Sequence, residues 1–112
     1  MPKLDLQAYH LRLLLTALKK HAPHAEAWAY GSRVNGSGHE GSDLDLVLRN
    51  PDGLDQPFPQ LDALRAALSE SDLPILVEVL DWARIPPDFR QEIEREHAVV
   101  LDPAAAHSPA VK

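Results

Sequence analysis

Residues 31–45 read GSRVNGSGHEGSDLD, and this stretch decides the fold that the sequence predicts. It contains four of the five glycines in the chain. Because glycine adopts backbone conformations that other residues avoid, residues 31–42 predict a loop, which can include one helical turn after Ser32. From Asp43 onward, polar and apolar residues alternate, which is typical of a strand. The stretch therefore predicts a glycine-rich loop that leads into a strand carrying two aspartates.

The residues on either side of this loop predict regular elements. Upstream, leucines at helical spacing indicate a helix over residues 5–21, closed by Pro23, and residues 26–30 read as a strand that runs into the loop. Downstream, the patterns predict a strand over 43–49, a loop over 50–59, a helix over 60–71, a strand over 75–82 and a helix over 86–97. Residues 98–101 form either a final strand or a docked tail, and residues 103–112 are expected to be disordered.

This order of elements predicts an α/β (α+β) domain, with a small mixed β-sheet covered by helices on one face. The 112 residues fit a single domain, and residues 1–102 are expected to be its folded part.

The composition restricts the classes of function. The net charge of −6 argues against a broad basic surface, so we expect no direct binding of nucleic acid. The chain has no cysteine, which excludes thiolate metal sites and cysteine nucleophiles. No stretch resembles a signal peptide or approaches the roughly 20 apolar residues of a membrane span. We therefore expect a cytoplasmic protein that does not bind membranes.

The two aspartates of the second strand indicate a metal site. Side chains two residues apart in a strand point to the same face, so Asp43 and Asp45 project together while Leu44, Leu46 and Leu48 face the helices. Two adjacent carboxylates repel each other unless a cation joins them. Because all the ligands are oxygens, Mg²⁺ is the expected metal, with Mn²⁺ as an alternative.

The same alternation identifies a third carboxylate. In the strand ILVEVLDW of residues 75–82, Glu78 and Asp81 point to opposite faces, so only one of them can join the two aspartates. If the β-branched residues of this strand pack on the helices, Glu78 emerges on the face of Asp43 and Asp45. Glu78 is therefore the preferred ligand, and Asp81 is expected to be a strand-end cap or a structural partner.

The glycine-rich loop supplies groups that bind anions. Glycines let backbone N–H groups converge on phosphate oxygens. The Ser32 hydroxyl donates a further hydrogen bond, and Arg33 offers a planar fork of donors that stays charged. The loop is not the P-loop of NTPases, because the pattern G-x-x-x-x-G-K-[ST] is absent.

These residues resemble a known family. Gly31-Ser32, followed after ten residues by Asp43-x-Asp45, resembles the defining motif of the DNA polymerase β-like nucleotidyltransferase superfamily. The fuller form, YGSR at 30–33, Gly36 and SDLDL at 42–46, most resembles the minimal nucleotidyltransferase (MNT) branch. That branch is commonly paired with HEPN-domain toxins in prokaryotic toxin–antitoxin modules. The resemblance covers residues 5–101 and implies the polymerase β-like fold.

The resemblance also implies an activity and its residues. It implies Mg²⁺-dependent transfer of AMP from ATP to a hydroxyl, with tyrosine favoured, on a partner HEPN toxin. Asp43, Asp45 and Glu78 would be catalytic and would hold two metal ions. Glu78 stands where the family usually has Asp. The nucleotide would bind to a second set of residues, namely Gly31, Ser32, Arg33 and Ser42.

Two other functions remain open at this point. The chain can be an antitoxin that covers its partner, with weak catalysis or none, and Glu in place of Asp leaves room for that alternative. It can also be a nucleotidyltransferase for small molecules, which would need a second subunit to complete the acceptor pocket. The sequence does not define the oligomer, which can be a homo-oligomer or a hetero-oligomer.

Overall fold

The computed structural model describes residues 4–38 and 41–103. In this part of the chain, the helices are α1 (Ala8–His21), α2 (Ser32–Asn35), α3 (Leu61–Ser69) and α4 (Pro87–Arg95). The strands are β1 (Glu26–Tyr30), β2 (Leu44–Arg49), β3 (Val77–Asp81) and β4 (Ala98–Leu101). A 3₁₀ turn, Trp82–Arg84, separates β3 from α4. Every predicted element is therefore present, and residues 98–101 form a strand rather than a docked tail.

The four strands form one mixed sheet in the order β3-β2-β1-β4. Strand β1 pairs antiparallel with β2 and with β4, whereas β2 and β3 are parallel. Parallel neighbours need a crossover connection, and α3 provides it. The sheet agrees with the small mixed sheet predicted from the sequence.

The main core lies between the sheet and the helices α1 and α3. On β2, the alternating residues Leu44, Leu46 and Leu48 are fully buried in this core. Leu14 of α1 and Leu64 of α3 pack in the same cluster. The predicted helical cover of one face is therefore confirmed, and it comes from α1 and α3.

A smaller cluster lies on the opposite face of the sheet. It joins Trp28 of β1 and Val47 of β2 to Trp82 and to Ile93 of α4. Helix α4 leaves the end of β3 and leads into β4 at the other edge, so it crosses this face. The sequence pattern did not indicate this second layer.

Helix α1 begins at Ala8, three residues later than predicted. The preceding segment is held by Arg33, because the Asp5 N–H donates to the Arg33 carbonyl over 2.7 Å. Arg33 Nη1 in turn donates to the Asp5 carbonyl over 2.9 Å.

Among the described residues, no helix is long and apolar enough to cross a membrane. Of the expected tail, residues 104–112 lie outside the described part of the chain.

Candidate active site

The glycine-rich loop begins with a sharp turn at the end of β1. Gly31 has φ of +82° and ψ of −152°, a backbone conformation that is essentially restricted to glycine. The one-turn helix α2 follows, as the sequence predicted, and its Val34 and Asn35 N–H groups both donate to the Gly31 carbonyl. Gly36, with φ of +86°, ends the turn in the left-handed conformation.

Two glycines of this loop allow close approaches that a side chain would prevent. A Cβ placed on Gly31 would lie 2.6 Å from Oδ2 of Asp45. A Cβ on Gly38 would lie 2.8 Å from the carbonyl oxygen of Ser32. The loop therefore folds back on Ser32 and presses its first glycine against the carboxylate of Asp45.

Three side chains of the site lie in one row across the sheet. Asp45 of β2 is directly paired with Tyr30 of β1 on one side and with Glu78 of β3 on the other. Directly paired residues project to the same face, so all three lie on the face that α4 crosses. Asp43 precedes β2 by one residue and is exposed. The structure therefore places Glu78 beside Asp45, as strand alternation predicted.

The electrostatics of this row reflect accumulated negative charge. Burial raises the pKa of Asp45 above its usual value, and the charges of Glu78 and then Asp43 raise it further. Burial, followed by the charges of Asp45 and Glu78, raises the pKa of Tyr30 to about 12. Tyr30 is therefore a neutral phenol at physiological pH.

The three carboxylates suit a divalent ion by their chemistry. They offer oxygen ligands only, and their mutual repulsion is what a bound cation would relieve. Within residues 4–38 and 41–103, no three His, Asp or Glu side chains converge tightly enough to form a complete metal site. Convergence of three like charges is unfavourable without the cation, so Asp43, Asp45 and Glu78 would have to draw together as it binds.

Arg33, which the sequence predicts to bind phosphate, lies in a buried environment. Its side chain is buried, with 6% of the residue exposed. Nε donates to the Ser42 carbonyl and Nη1 to the Asp5 carbonyl, each over 2.9 Å. The guanidinium thus ties both ends of the loop to the segment before α1. The sequence could not indicate this, because the Asp5 partner lies 28 residues away.

Ser32 and Ser42 are both half-buried at the two ends of the loop. Ser32 opens α2 directly after Gly31, and Ser42 precedes the two aspartates. The predicted nucleotide-binding serines therefore lie near the carboxylate row, and Ser42 is the one whose carbonyl Arg33 holds.

Asp81 is a structural residue, as the sequence predicted. It is 4% exposed, and its Oδ2 accepts a hydrogen bond of 3.0 Å from the Phe58 N–H. Its other oxygen accepts from the Ala83 N–H over 3.4 Å, which caps the 3₁₀ turn. Arg84 pairs with the same carboxylate over 3.8 Å. Asp81 therefore anchors the loop before α3 on the side of the sheet away from Glu78.

Sequence reasoning assigned no role to Tyr30 or to helix α4. The Tyr30 ring meets the Phe89 ring edge to face, with centroids 5.5 Å apart. This contact places the first turn of α4 against the site. Strand alternation could have placed Tyr30 on the face of Trp28, but the position of α4 depends on tertiary packing.

Comparison with known proteins identifies the family. Residues 11–102 match the family model described as "Nucleotidyltransferase domain". Over 100 residues, the chain is 41% identical to the "Probable protein adenylyltransferase MntA" of Haemophilus influenzae, covering 89% of this chain and 86% of that protein. A solved structure described as "Crystal structure of the toxin-antitoxin with AMP-PNP" matches with a TM-score of 0.63 and 21% identity, covering 81% of this chain and 72% of that chain. This chain therefore belongs to the nucleotidyltransferase domain family and is a nucleotidyltransferase of the minimal type.

Proposed function

We propose that this nucleotidyltransferase transfers AMP from ATP to a hydroxyl group of a partner toxin and thereby acts as an antitoxin. The observation that carries the proposal is the contact between the glycine-rich turn and the carboxylate row. Gly31 lies against Asp45, and Asp45 is paired with Glu78. A triphosphate held by the loop would therefore place its α-phosphorus near the carboxylates.

In this proposal, Asp43, Asp45 and Glu78 hold Mg²⁺. Two bound ions would supply positive charge that neutralises the triphosphate and favours ionisation of the incoming hydroxyl. The acceptor oxygen forms a bond to the α-phosphorus, the bond from that phosphorus to the bridging oxygen breaks, and pyrophosphate leaves. Glu78 helps to take the proton of the acceptor hydroxyl. Ser32 and Ser42 orient the phosphates from the two ends of the loop.

The partner is proposed to be a HEPN-domain toxin, and the acceptor a tyrosine hydroxyl. Support for a protein acceptor comes from the name of the Haemophilus influenzae relative, a protein adenylyltransferase. Support for a toxin partner comes from the description of the solved structure of similar fold as a toxin–antitoxin complex. The HEPN class and the tyrosine rest on the resemblance of YGSR and SDLDL to the MNT motif.

A second candidate function is an antitoxin that covers its partner without modifying it. One feature favours it: Glu78 stands where the family that the sequence resembles usually has Asp. The two functions differ in whether neutralisation of the toxin depends on the carboxylates.

The first test of the proposal is metal-dependent binding of ATP. Calorimetry should show a strong rise in ATP affinity when Mg²⁺ or Mn²⁺ replaces chelator, because a bound cation would offset the repulsion between the carboxylates and the phosphates. Asp45→Asn should abolish most of that rise, whereas Asp62→Asn, an exposed carboxylate on α3, should leave it intact. Equal ATP affinity in chelator and in Mg²⁺ would contradict the metal-assisted mechanism.

A further inference from the structure

Helix α4 brings an arginine to the glycine-rich loop. Arg95, in the last turn of α4, lines a cavity of about 350 Å³ together with Gly31 and Asn35. This cavity opens beside the turn that presses on Asp45. We propose that Arg95 binds the β- and γ-phosphates of the nucleotide, supplying the cation that the buried Arg33 does not present. This inference rests on the proposed function and adds Arg95 to the residues that bind the nucleotide.

The other described arginines on this side of the sheet are held by protein groups. Arg33 donates to two backbone carbonyls, Arg49 pairs with Glu26, and Arg90 donates to the Trp82 carbonyl. In contrast, within residues 4–38 and 41–103, Arg95 forms no ion pair or side-chain hydrogen bond. Its exposed guanidinium is therefore available to a ligand.

The remaining described cations lie elsewhere. Arg65 donates to the Val79 carbonyl from α3, and Arg84 pairs with Asp81. Three further cations belong to α1, which packs on the opposite face of the sheet, namely Arg12, Lys19 and Lys20. Of the cations in the described part of the chain, Arg95 is thus the one that combines a position beside Gly31 with an uncommitted side chain.

The packing of α4 fixes the position of the helix backbone that carries Arg95. Ile93 is almost fully buried in the cluster with Trp28, and Phe89 packs edge to face on Tyr30. These contacts hold the last turn of the helix next to the loop. From this position, the guanidinium of Arg95 can offer its planar pair of donors to phosphate oxygens.

The cavity is not uniformly cationic, because Glu92 and Glu96 also line it. Their charges oppose a bare triphosphate and favour the metal-bound form. Because Glu92 lines the same cavity as Arg95 but carries the opposite charge, its substitution is a control for the effect of charge. Removing the negative charge of Glu92 should strengthen ATP binding or leave it unchanged, whereas removing the positive charge of Arg95 should weaken it.

The test compares ATP and AMP affinities in Mg²⁺ for the wild type, Arg95→Gln, Arg95→Lys and Glu92→Gln. Arg12→Gln serves as the matched control, because it removes an arginine from the opposite face. Arg95→Gln should weaken ATP binding about 10-fold or more, as expected for loss of charge-assisted bonds. AMP affinity, measured by competition, should stay the same because AMP lacks the β- and γ-phosphates. Arg95→Lys should recover part of the ATP affinity.

The inference is overturned if Arg95→Gln binds ATP as well as Arg12→Gln does, or if ATP and AMP affinities fall together. Weaker ATP binding by Glu92→Gln would also overturn it, since α4 would then act only as a structural support. These results leave the proposed function standing as long as the wild type binds ATP in a metal-dependent way. A wild type without such binding would overturn both.

Discussion

Gly31 and Asp45 lie closer together than any side chain at position 31 would allow. A Cβ on Gly31 would meet Oδ2 of Asp45 at 2.6 Å, and the backbone of Gly31 has φ of +82°. The loop that would bind phosphate and the carboxylate that would bind metal are therefore built as one unit. Displacing either residue should disturb the other.

Gly31→Ala is expected to impair both folding and nucleotide binding. It combines backbone strain of about 1–3 kcal/mol with a clash against the Asp45 carboxylate. Gly36→Ala is the matched control, because its φ of +86° imposes strain but its Cβ would meet no atom within 4 Å. Urea unfolding and ATP calorimetry should show lower stability in both variants and weaker metal-dependent binding in Gly31→Ala alone. Equal binding by the two variants would contradict the close approach.

Asp45→Asn is expected to leave the metal-free protein equally stable or more stable at pH 7. Burial and the charges of Glu78 and Asp43 raise the pKa of Asp45. A carboxyl whose pKa is raised by folding favours the folded state below its unfolded value, about 4, and loses that contribution as the pH rises through the folded pKa. Any gain in the melting temperature of the variant should thus be largest near neutral pH.

The same comparison made at about pH 3, where Asp45 is protonated in both states, should show little difference between the proteins. Added Mg²⁺ should then raise the melting temperature of the wild type more than that of Asp45→Asn. A large loss of stability in metal-free Asp45→Asn at pH 7 would instead identify Asp45 as a structural residue.

Tyr30 offers a spectroscopic probe of the carboxylate row. The chain has two tyrosines, and the pKa of Tyr30 is raised to about 12 by burial and by the charges of Asp45 and Glu78. When the ionisation of tyrosine is followed by absorbance, the titration should therefore show a late phase at high pH, and Tyr30→Phe should remove that phase. Asp45→Asn should lower the pKa of that phase, because a negative charge beside the phenol disfavours the phenolate. An unchanged late phase in Asp45→Asn would contradict the pairing of Tyr30 with Asp45.

Arg33→Lys is expected to destabilise the protein rather than to act on phosphate directly. Lysine cannot reproduce the fork that joins the Ser42 and Asp5 carbonyls, so a loss of about 1–3 kcal/mol is expected in urea unfolding. Arg12→Lys, an exposed change on α1, should have little effect. Full stability together with weaker ATP binding in Arg33→Lys would contradict this expectation and support the direct phosphate role predicted from the sequence.

The sequence was informative wherever a local rule applied. Alternation in the third strand separated Glu78 from Asp81, and the structure places them on opposite faces. The glycines of residues 31–42 predicted both the loop and the helical turn after Ser32. The motif around these residues indicated the family.

The sequence failed where distant parts of the chain meet. Nothing near Arg33 indicates that its side chain donates to the carbonyl of Asp5, 28 residues away. The path of α4 across the second face depends on the packing of Ile93 with Trp28. For that reason, the cavity beside Gly31 and the position of Arg95 could not be predicted.

The roles of Glu78 and Asp81 are separable by mutation. Glu78 is exposed in the row, so Glu78→Gln should preserve stability while removing the charge and basicity on which the proposed transfer would depend. Asp81 is buried and accepts two backbone hydrogen bonds, so Asp81→Asn should cost about 1–3 kcal/mol of stability while the folded fraction keeps its activity. Melting curves measured beside transfer rates distinguish the two effects. Loss of transfer in fully folded Asp81→Asn would reverse the assignment.

The most direct measurement of the central claim is the intact mass of the partner toxin after incubation with this protein, ATP and Mg²⁺. The wild type should add AMP, and Glu78→Gln should slow that addition by about 10²-fold or more, as expected for loss of a positioned base. Glu78→Asp, which restores the residue usual in the family, should retain or improve the rate. If the wild type adds no mass, and Glu78→Gln and Asp43→Asn still neutralise the toxin, the transfer mechanism is contradicted and the protein acts by covering its partner.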